Sequence, residues 1–131
     1  MTRFRIPAAV AALSLAVAAS PAGAADGRTL YVENCAACHR PNGAGVPGAF
    51  PALAGSKLAN GESRGAAKVI LAGRGGMPAF AGELDDVEVA SVLSYVRSAW
   101  GNKAKPVQVA EVTQARGKAR REDARASLQA H

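Results

Sequence analysis

The chain has 131 residues, 49% of them hydrophobic and 5% aromatic, which is room for one small domain and excludes a large multidomain enzyme. A domain of this size buries only about 60–70% of its unfolded surface and commonly relies on a disulfide, a metal or a cofactor as a staple. The formal charge of +6 is uneven: from Asp26 to Gly101 seven basic and seven acidic residues cancel, while Asn102 to His131 holds seven basic against three acidic, so the core of the chain lacks the electrostatic footprint of a nucleic-acid binder.

Arg3 and Arg5 make a basic start, an apolar run follows from Pro7 to Ala19, and Ser20-Pro21-Ala22-Gly23-Ala24 comes next. This charged, apolar and small-residue order predicts a secretory signal over residues 1–24, cleaved after Ala24, and hence an exported, periplasmic protein. As a membrane anchor the run would fall short of the roughly 20 residues that cross a bilayer. No later stretch is long and apolar enough to span.

Asp26 can cap a short helix running toward Cys35, with Leu30 and Tyr31 on its apolar side. From Arg40 to Asn60 the chain is dense in Gly, Pro and Asn, with turn signals at Pro41-Asn42-Gly43 and Val46-Pro47-Gly48. Ser63 can start a second helix through Ala66, Val69 and Ile70, ending at Gly73. Arg74 to Gly82 reads as another loop. The clearest helix has Asp85 as its cap and Glu88 three residues on, a capping-box pair. Val89, Val92, Leu93, Val96 and Trp100 then form one apolar face, with Gly101 as a stop and Pro106 beyond. No stretch alternates as a strand. The expected fold is all-α: three or four short helices joined by long loops, over residues 25–102. Residues 103–131 read as a basic tail, mobile or partly helical, and a solvated end rather than a docking arm. Loops this long in so small a domain need something to pack on, and a large flat apolar cofactor would provide it.

Cys35-Ala36-Ala37-Cys38-His39 is C-x-x-C-H, the attachment motif for covalent c-type haem. Two thiols three positions apart can each form a thioether to one side of a porphyrin, and the next residue then carries an imidazole under the iron. Three rivals exist. A thioredoxin-like redox pair would want a βαβ setting, and none is visible. A structural zinc site wants four Cys or His ligands, whereas the chain offers Cys35, Cys38, His39 and terminal His131. A Cys35–Cys38 disulfide would close a tiny loop and stabilise little. Beyond the predicted signal Met77 is the one methionine, set in Gly75-Gly76-Met77-Pro78. Methionine more often fills a core gap, but a core methionine sits on an amphipathic element, not between Gly-Gly and Pro. Met77 is therefore the candidate second axial ligand.

With these features in this order the sequence resembles the class I cytochrome c family over roughly Asp26 to Asn102, and most of all small bacterial cytochromes c and the cytochrome domains that accompany periplasmic dehydrogenases and terminal oxidases. Gly27 and Tyr31 look like the small-then-aromatic pair by which the family's first helix crosses its last, with Leu93 and Tyr95 opposite. Pro51, in Pro51-Ala52-Leu53, lies where the family's proline offers its carbonyl to the ligand histidine's second nitrogen. Met77-Pro78 looks like the distal ligand motif.

The resemblance implies one covalent haem c bound by Cys35 and Cys38, held axially by His39 and Met77, with Pro51 behind the histidine. It implies a periplasmic one-electron carrier rather than an enzyme, working with redox partner proteins: a dehydrogenase donor and an oxidase or other cytochrome acceptor. An alternative is the same domain as a subunit of a dehydrogenase or oxidase complex. An open-site haem enzyme or gas sensor is a third reading, disfavoured because the only spare histidine is His131. Leu53, Val69, Ile70, Phe80, Val92, Leu93 and Val96 are expected to line or back the haem pocket. Lys57, Arg74 and Trp100 are candidate donors to the haem propionates, on residue type alone.

Overall fold

The computed structural model describes residues 26–130. The predicted signal peptide and His131 lie outside the described residues. Six helices follow in order: α1 (Gly27–Asn34), α2 (Ala36–His39), α3 (Lys57–Asn60), α4 (Ser63–Ala72), α5 (Asp86–Val96) and α6 (Val109–Gln129). Among the described residues there is no strand, only two isolated bridges, Val46–Phe50 and Arg74–Met77. The all-α expectation holds, with more helices than the sequence pattern revealed.

Helix α1 has little intrinsic reason to form. Gly27 opens it, and the Asp26 side chain makes no capping hydrogen bond. Packing supplies the reason. Helix α1 crosses α5, and a Cβ on Gly27 would lie 2.3 Å from the Ser91 carbonyl oxygen, so only glycine permits this approach. One turn on, Tyr31 is fully buried. Its ring lies 5.5 Å from that of Tyr95 and 5.0 Å from that of Trp100, and the latter two meet edge-on at 5.6 Å. Such tilted pairs contribute beyond the area they bury.

Helix α4 starts where expected, with the Glu62 carboxylate accepting from the Arg64 and Gly65 amides. Helix α5 carries the full capping box. The Asp85 carboxylate accepts from the Glu88 amide at 2.8 Å, and the Glu88 carboxylate from the Asp85 amide at 2.9 Å. Its Val89, Val92, Leu93 and Val96 enter the core. The helix ends at Val96, short of the expected Gly101, and turns leave it with Trp100 at φ 52° and Gly101 at φ 85°.

In the basic tail the partly helical alternative is the one seen: residues 109–129 form the longest helix, and its first half is packed on α4 and α5 while 123–130 are exposed. Val107, Val112, Ala115 and Ala119 are buried. Three are on α6 at three- and four-residue spacing, a stripe that faces the core. Polar contacts hold it as well. Ser63 donates to Glu111 at 2.5 Å, Thr113 donates to Asp86 at 2.6 Å, Arg116 pairs with Asp86 at 2.6 Å, and Lys68 pairs with Glu122.

These contacts make α6 docking acid-sensitive. The Thr113 hydroxyl, then Arg116, hold Asp86 below the ordinary aspartate range, and the Ser63 hydroxyl foremost does the same for Glu111. A carboxylate depressed in the fold binds fewer protons folded than unfolded. Its contribution is present above the unfolded value, about pH 4, and is lost as the pH falls through the lower folded value. On acidification below about pH 4, α6 amides are expected to lose hydrogen-exchange protection before α5 amides do. Equal protection of both helices down to global unfolding would contradict this.

Candidate functional site

Helix α1 stops at Asn34, and Cys35 turns the chain into the single turn of α2. The amides of Cys38 and His39 both donate to the Cys35 carbonyl, at 3.2 and 2.9 Å. Arg40 ends the turn at φ 66°, a left-handed conformation rare outside glycine. The Tyr31 hydroxyl fixes it, donating to the Arg40 carbonyl at 2.6 Å. The aromatic cluster is thus bonded to the segment carrying Cys35, Cys38 and His39.

Both cysteines are half-buried and unpaired. Burial, and secondarily Cys38, push the Cys35 thiol up to about 11. A redox-active C-x-x-C lowers its nucleophile's pKa instead, so the thioredoxin-like rival fits poorly. Among the described residues no group of three or more His, Cys, Asp and Glu is arranged to hold a metal ion.

His39 is buried, with 8% of its surface exposed. Its Nδ1 lies 2.9 Å from the Pro51 carbonyl oxygen. A carbonyl only accepts, so Nδ1 carries the proton and donates; in the neutral ring Nε2 keeps its lone pair for a metal. The 40–56 loop that brings Pro51 here is tied to itself. The Gly45 amide donates to the His39 carbonyl at 3.0 Å, and the Leu53 and Ala54 amides donate to the Gly43 carbonyl at 2.8 and 3.0 Å.

Met77 stands on the other loop, half-buried in a tight turn. Its amide donates to the Arg74 carbonyl at 3.0 Å, and the Arg74 amide to its carbonyl at 3.2 Å. Gly73 ends α4 at φ 73°, and a Cβ there would lie 2.6 Å from the Met77 carbonyl oxygen. This glycine is what lets the loop fold back on its helix.

Cys35, Ala36, Leu53, Ile70 and Phe80 are half-buried apolar groups packed against the core, and Val92, Leu93 and Val96 are buried behind them. Val69 is half-buried too. Two unpaired thiols, a buried imidazole with Nε2 available, a thioether and a partly covered apolar face form a donor set that fits a covalently attached haem. Of the candidate propionate donors, Lys57 and Arg74 are exposed. The Trp100 indole N–H donates to the Pro41 carbonyl at 3.2 Å.

Two residues supporting the site escaped sequence reading. Buried Asn102 accepts from the Gly55 amide at 2.8 Å and the Asn60 side chain at 3.0 Å, and donates to the Leu53 and Val96 carbonyls at 3.1 and 2.7 Å. Buried Arg97 donates to the carbonyls of Lys105, Ala59 and Gly61 at 2.7, 2.7 and 3.0 Å. Arg97 lies one residue beyond the apolar stripe of α5, and that adjacency was the one available signal.

Residues 22–96 match the family described as cytochrome C oxidase, cbb3-type, subunit III. Cytochrome c-552 of Thermus thermophilus is 36% identical over 115 residues, covering 72% of this chain and 86% of that protein. The cbb3-type cytochrome c oxidase subunit CcoP of Azospirillum brasilense is 39% identical over 99 residues, covering 70% and 34%. The cytochrome c subunit of alcohol dehydrogenase (quinone) from Gluconacetobacter polyoxogenes is 34% identical over 103 residues, covering 69% of this chain; the match spans only 22% of that subunit's length.

Proposed function

Since the chain belongs to the c-type cytochrome family described as cytochrome C oxidase, cbb3-type, subunit III, we propose that it is an exported one-electron carrier with a single covalent haem c. The observation that carries the reading is the buried His39, its Nδ1 committed to the Pro51 carbonyl, in a turn flanked by two unpaired half-buried thiols.

Cys35 and Cys38 would hold the haem by thioethers, and His39 and Met77 would bind its iron. When bound, the haem supplies a ferrous–ferric couple that takes up or releases one electron. The protein's part is positional and electrostatic. The Pro51 carbonyl fixes the plane of the imidazole and raises its basicity. The Met77 thioether favours the ferrous state and so a higher potential. Leu53, Ile70 and Phe80 exclude water, which disfavours the extra charge of the ferric state. A ligand pair held in both states keeps reorganisation small.

The periplasmic location rests on the residue order over 1–24. Donor and acceptor would be proteins, a dehydrogenase on one side and an oxidase or another cytochrome on the other, in brief small-area encounters. A second reading makes the domain a subunit of such a complex. It is favoured by relatives named as cytochrome subunits of alcohol dehydrogenase and of a cbb3-type oxidase.

The ligand set is tested on haem-loaded protein. The oxidised wild type is expected to show a weak far-red sulfur-to-iron band and to exclude carbon monoxide when reduced. Met77→Ala should lose the band and bind carbon monoxide. Avid carbon monoxide binding by the wild type would reject Met77 as a ligand and revive the open-site enzyme or sensor.

A further inference from the structure

The loop from Gly73 to Asp85 has a loose part and a tight part. Around Met77 the bonds are those of the Arg74–Met77 turn. From Phe80 onward the loop is gripped. The Phe80 amide donates to the Ile70 carbonyl at 2.9 Å, the Ala81 amide to the Leu71 carbonyl at 3.3 Å, and the Glu83 and Leu84 amides to the Phe80 carbonyl at 3.0 and 2.9 Å.

The carbonyls of that tight part are held from outside the family's minimal fold. Arg116 of α6 donates from Nη1 to the Ala81 carbonyl at 2.6 Å and from Nη2 to the Leu84 carbonyl at 2.8 Å. Its Nε donates to Asp86 Oδ1 at 2.6 Å, and Thr113 donates to the other oxygen of that carboxylate at 2.6 Å. The Arg116 side chain is 21% exposed. The planar fork thus serves three acceptors on the loop and on the first turn of α5. A lysine ammonium cannot reproduce that spacing.

We propose that Arg116 is a positioning residue for Met77: by pinning the Ala81–Leu84 turn it sets how readily Met77 yields its place on the iron to another ligand. Phe80, where the gripped part begins, is three residues from Met77. With the turn released, the loop gains freedom to swing the thioether away, and the cost of displacing it falls. Helix α6 would then be a device that tunes ligand retention. The inference rests on Met77 being the second axial ligand, as proposed above.

The test uses full-length haem-loaded protein at neutral pH in four forms: wild type, Arg116→Ala, Arg116→Lys and Glu122→Gln. Glu122→Gln removes the Lys68 pair on the same helix without touching the loop. Imidazole is titrated into the ferric protein while the far-red band is followed, and denaturant unfolding is measured in parallel. Arg116→Ala is expected to bind imidazole about tenfold more tightly than wild type, the scale of one lost charge-assisted hydrogen bond. Arg116→Lys should fall between the two, and it carries the test if the alanine variant does not fold. Glu122→Gln should bind imidazole like wild type. The proposal is overturned if the Arg116 variants lose stability yet keep wild-type imidazole affinity, or if Glu122→Gln shifts affinity as much as they do. A wild type without the far-red band would instead overturn the Met77 assignment itself.

Discussion

Alanine in place of Tyr31 is expected to lower the unfolding free energy by about 3–5 kcal/mol, the scale for removing a fully buried aromatic ring. Tyr31 is wholly inaccessible and touches both Tyr95 and Trp100, so its loss opens a void between α1 and α5 that neither neighbour can refill. Its hydroxyl also holds the carbonyl of Arg40, next to His39. Phenylalanine keeps the ring and should cost only about 1 kcal/mol, the ordinary net value of a hydrogen bond. Burial, then Cys35 and Tyr95, push the tyrosine up to about 12. A raised folded value means the stability is present below the ordinary tyrosine range, about pH 10, and is lost as the pH climbs toward 12. Tyr31→Phe should lack that alkaline decline. Denaturant unfolding across pH measures both effects. An alanine cost under about 1.5 kcal/mol would contradict the packing argument.

Asn102→Leu is expected to cost about 3 kcal/mol or more, because each buried group left without a partner costs about 1–3 kcal/mol. The Asn102 amide accepts from the backbone of Gly55 and the side chain of Asn60 and donates to the carbonyls of Leu53 and Val96. No apolar side chain serves any of the four. Aspartate is the sharper comparison. It keeps the acceptor toward Gly55 and Asn60 but turns a carboxylate oxygen toward two carbonyls, so it should be at least as damaging as leucine despite its shape. The loop so anchored contains Leu53, two residues from Pro51. Both variants should therefore also speed exchange of the Gly55 amide and loosen the His39–Pro51 bond. A well-tolerated aspartate would mean that the donor side of Asn102 is unimportant.

The parts of the fold legible in the sequence are those with strong local signals. The Asp85–Glu88 box, the start of α4 beside Ser63 and its end at Gly73 were readable because capping chemistry is local. The crossing of α1 and α5 was foreseen from the spacing of Gly27 and Tyr31 through family resemblance. The packing of helix α6 against the core was missed because two of its three buried positions are alanine, which barely register beside Arg116, Lys118, Arg120, Arg121 and Arg125. Helix α3 is four residues long, too short to show a period. In the site, Cys35 to His39 could be read as one contiguous motif. The roles of Asn102 and Arg97 could not, since their partners lie up to 49 residues away and, apart from the Asn60 side chain, are backbone groups, which leave no trace in side-chain pattern.

The placement of α6 has a consequence for the order of events during synthesis. Chains are made from the amino end, and folding follows emergence. The pair of thiols and the imidazole fall within five consecutive positions near the start, whereas the bonds that clasp the far loop wait for Arg116, and the Trp100–Pro41 bond spans 59 positions. The attachment segment therefore emerges, in synthesis and in export alike, before the residues of the closing helix. Only when that helix docks on α4 and α5 does the Ala81–Leu84 turn gain its clasp.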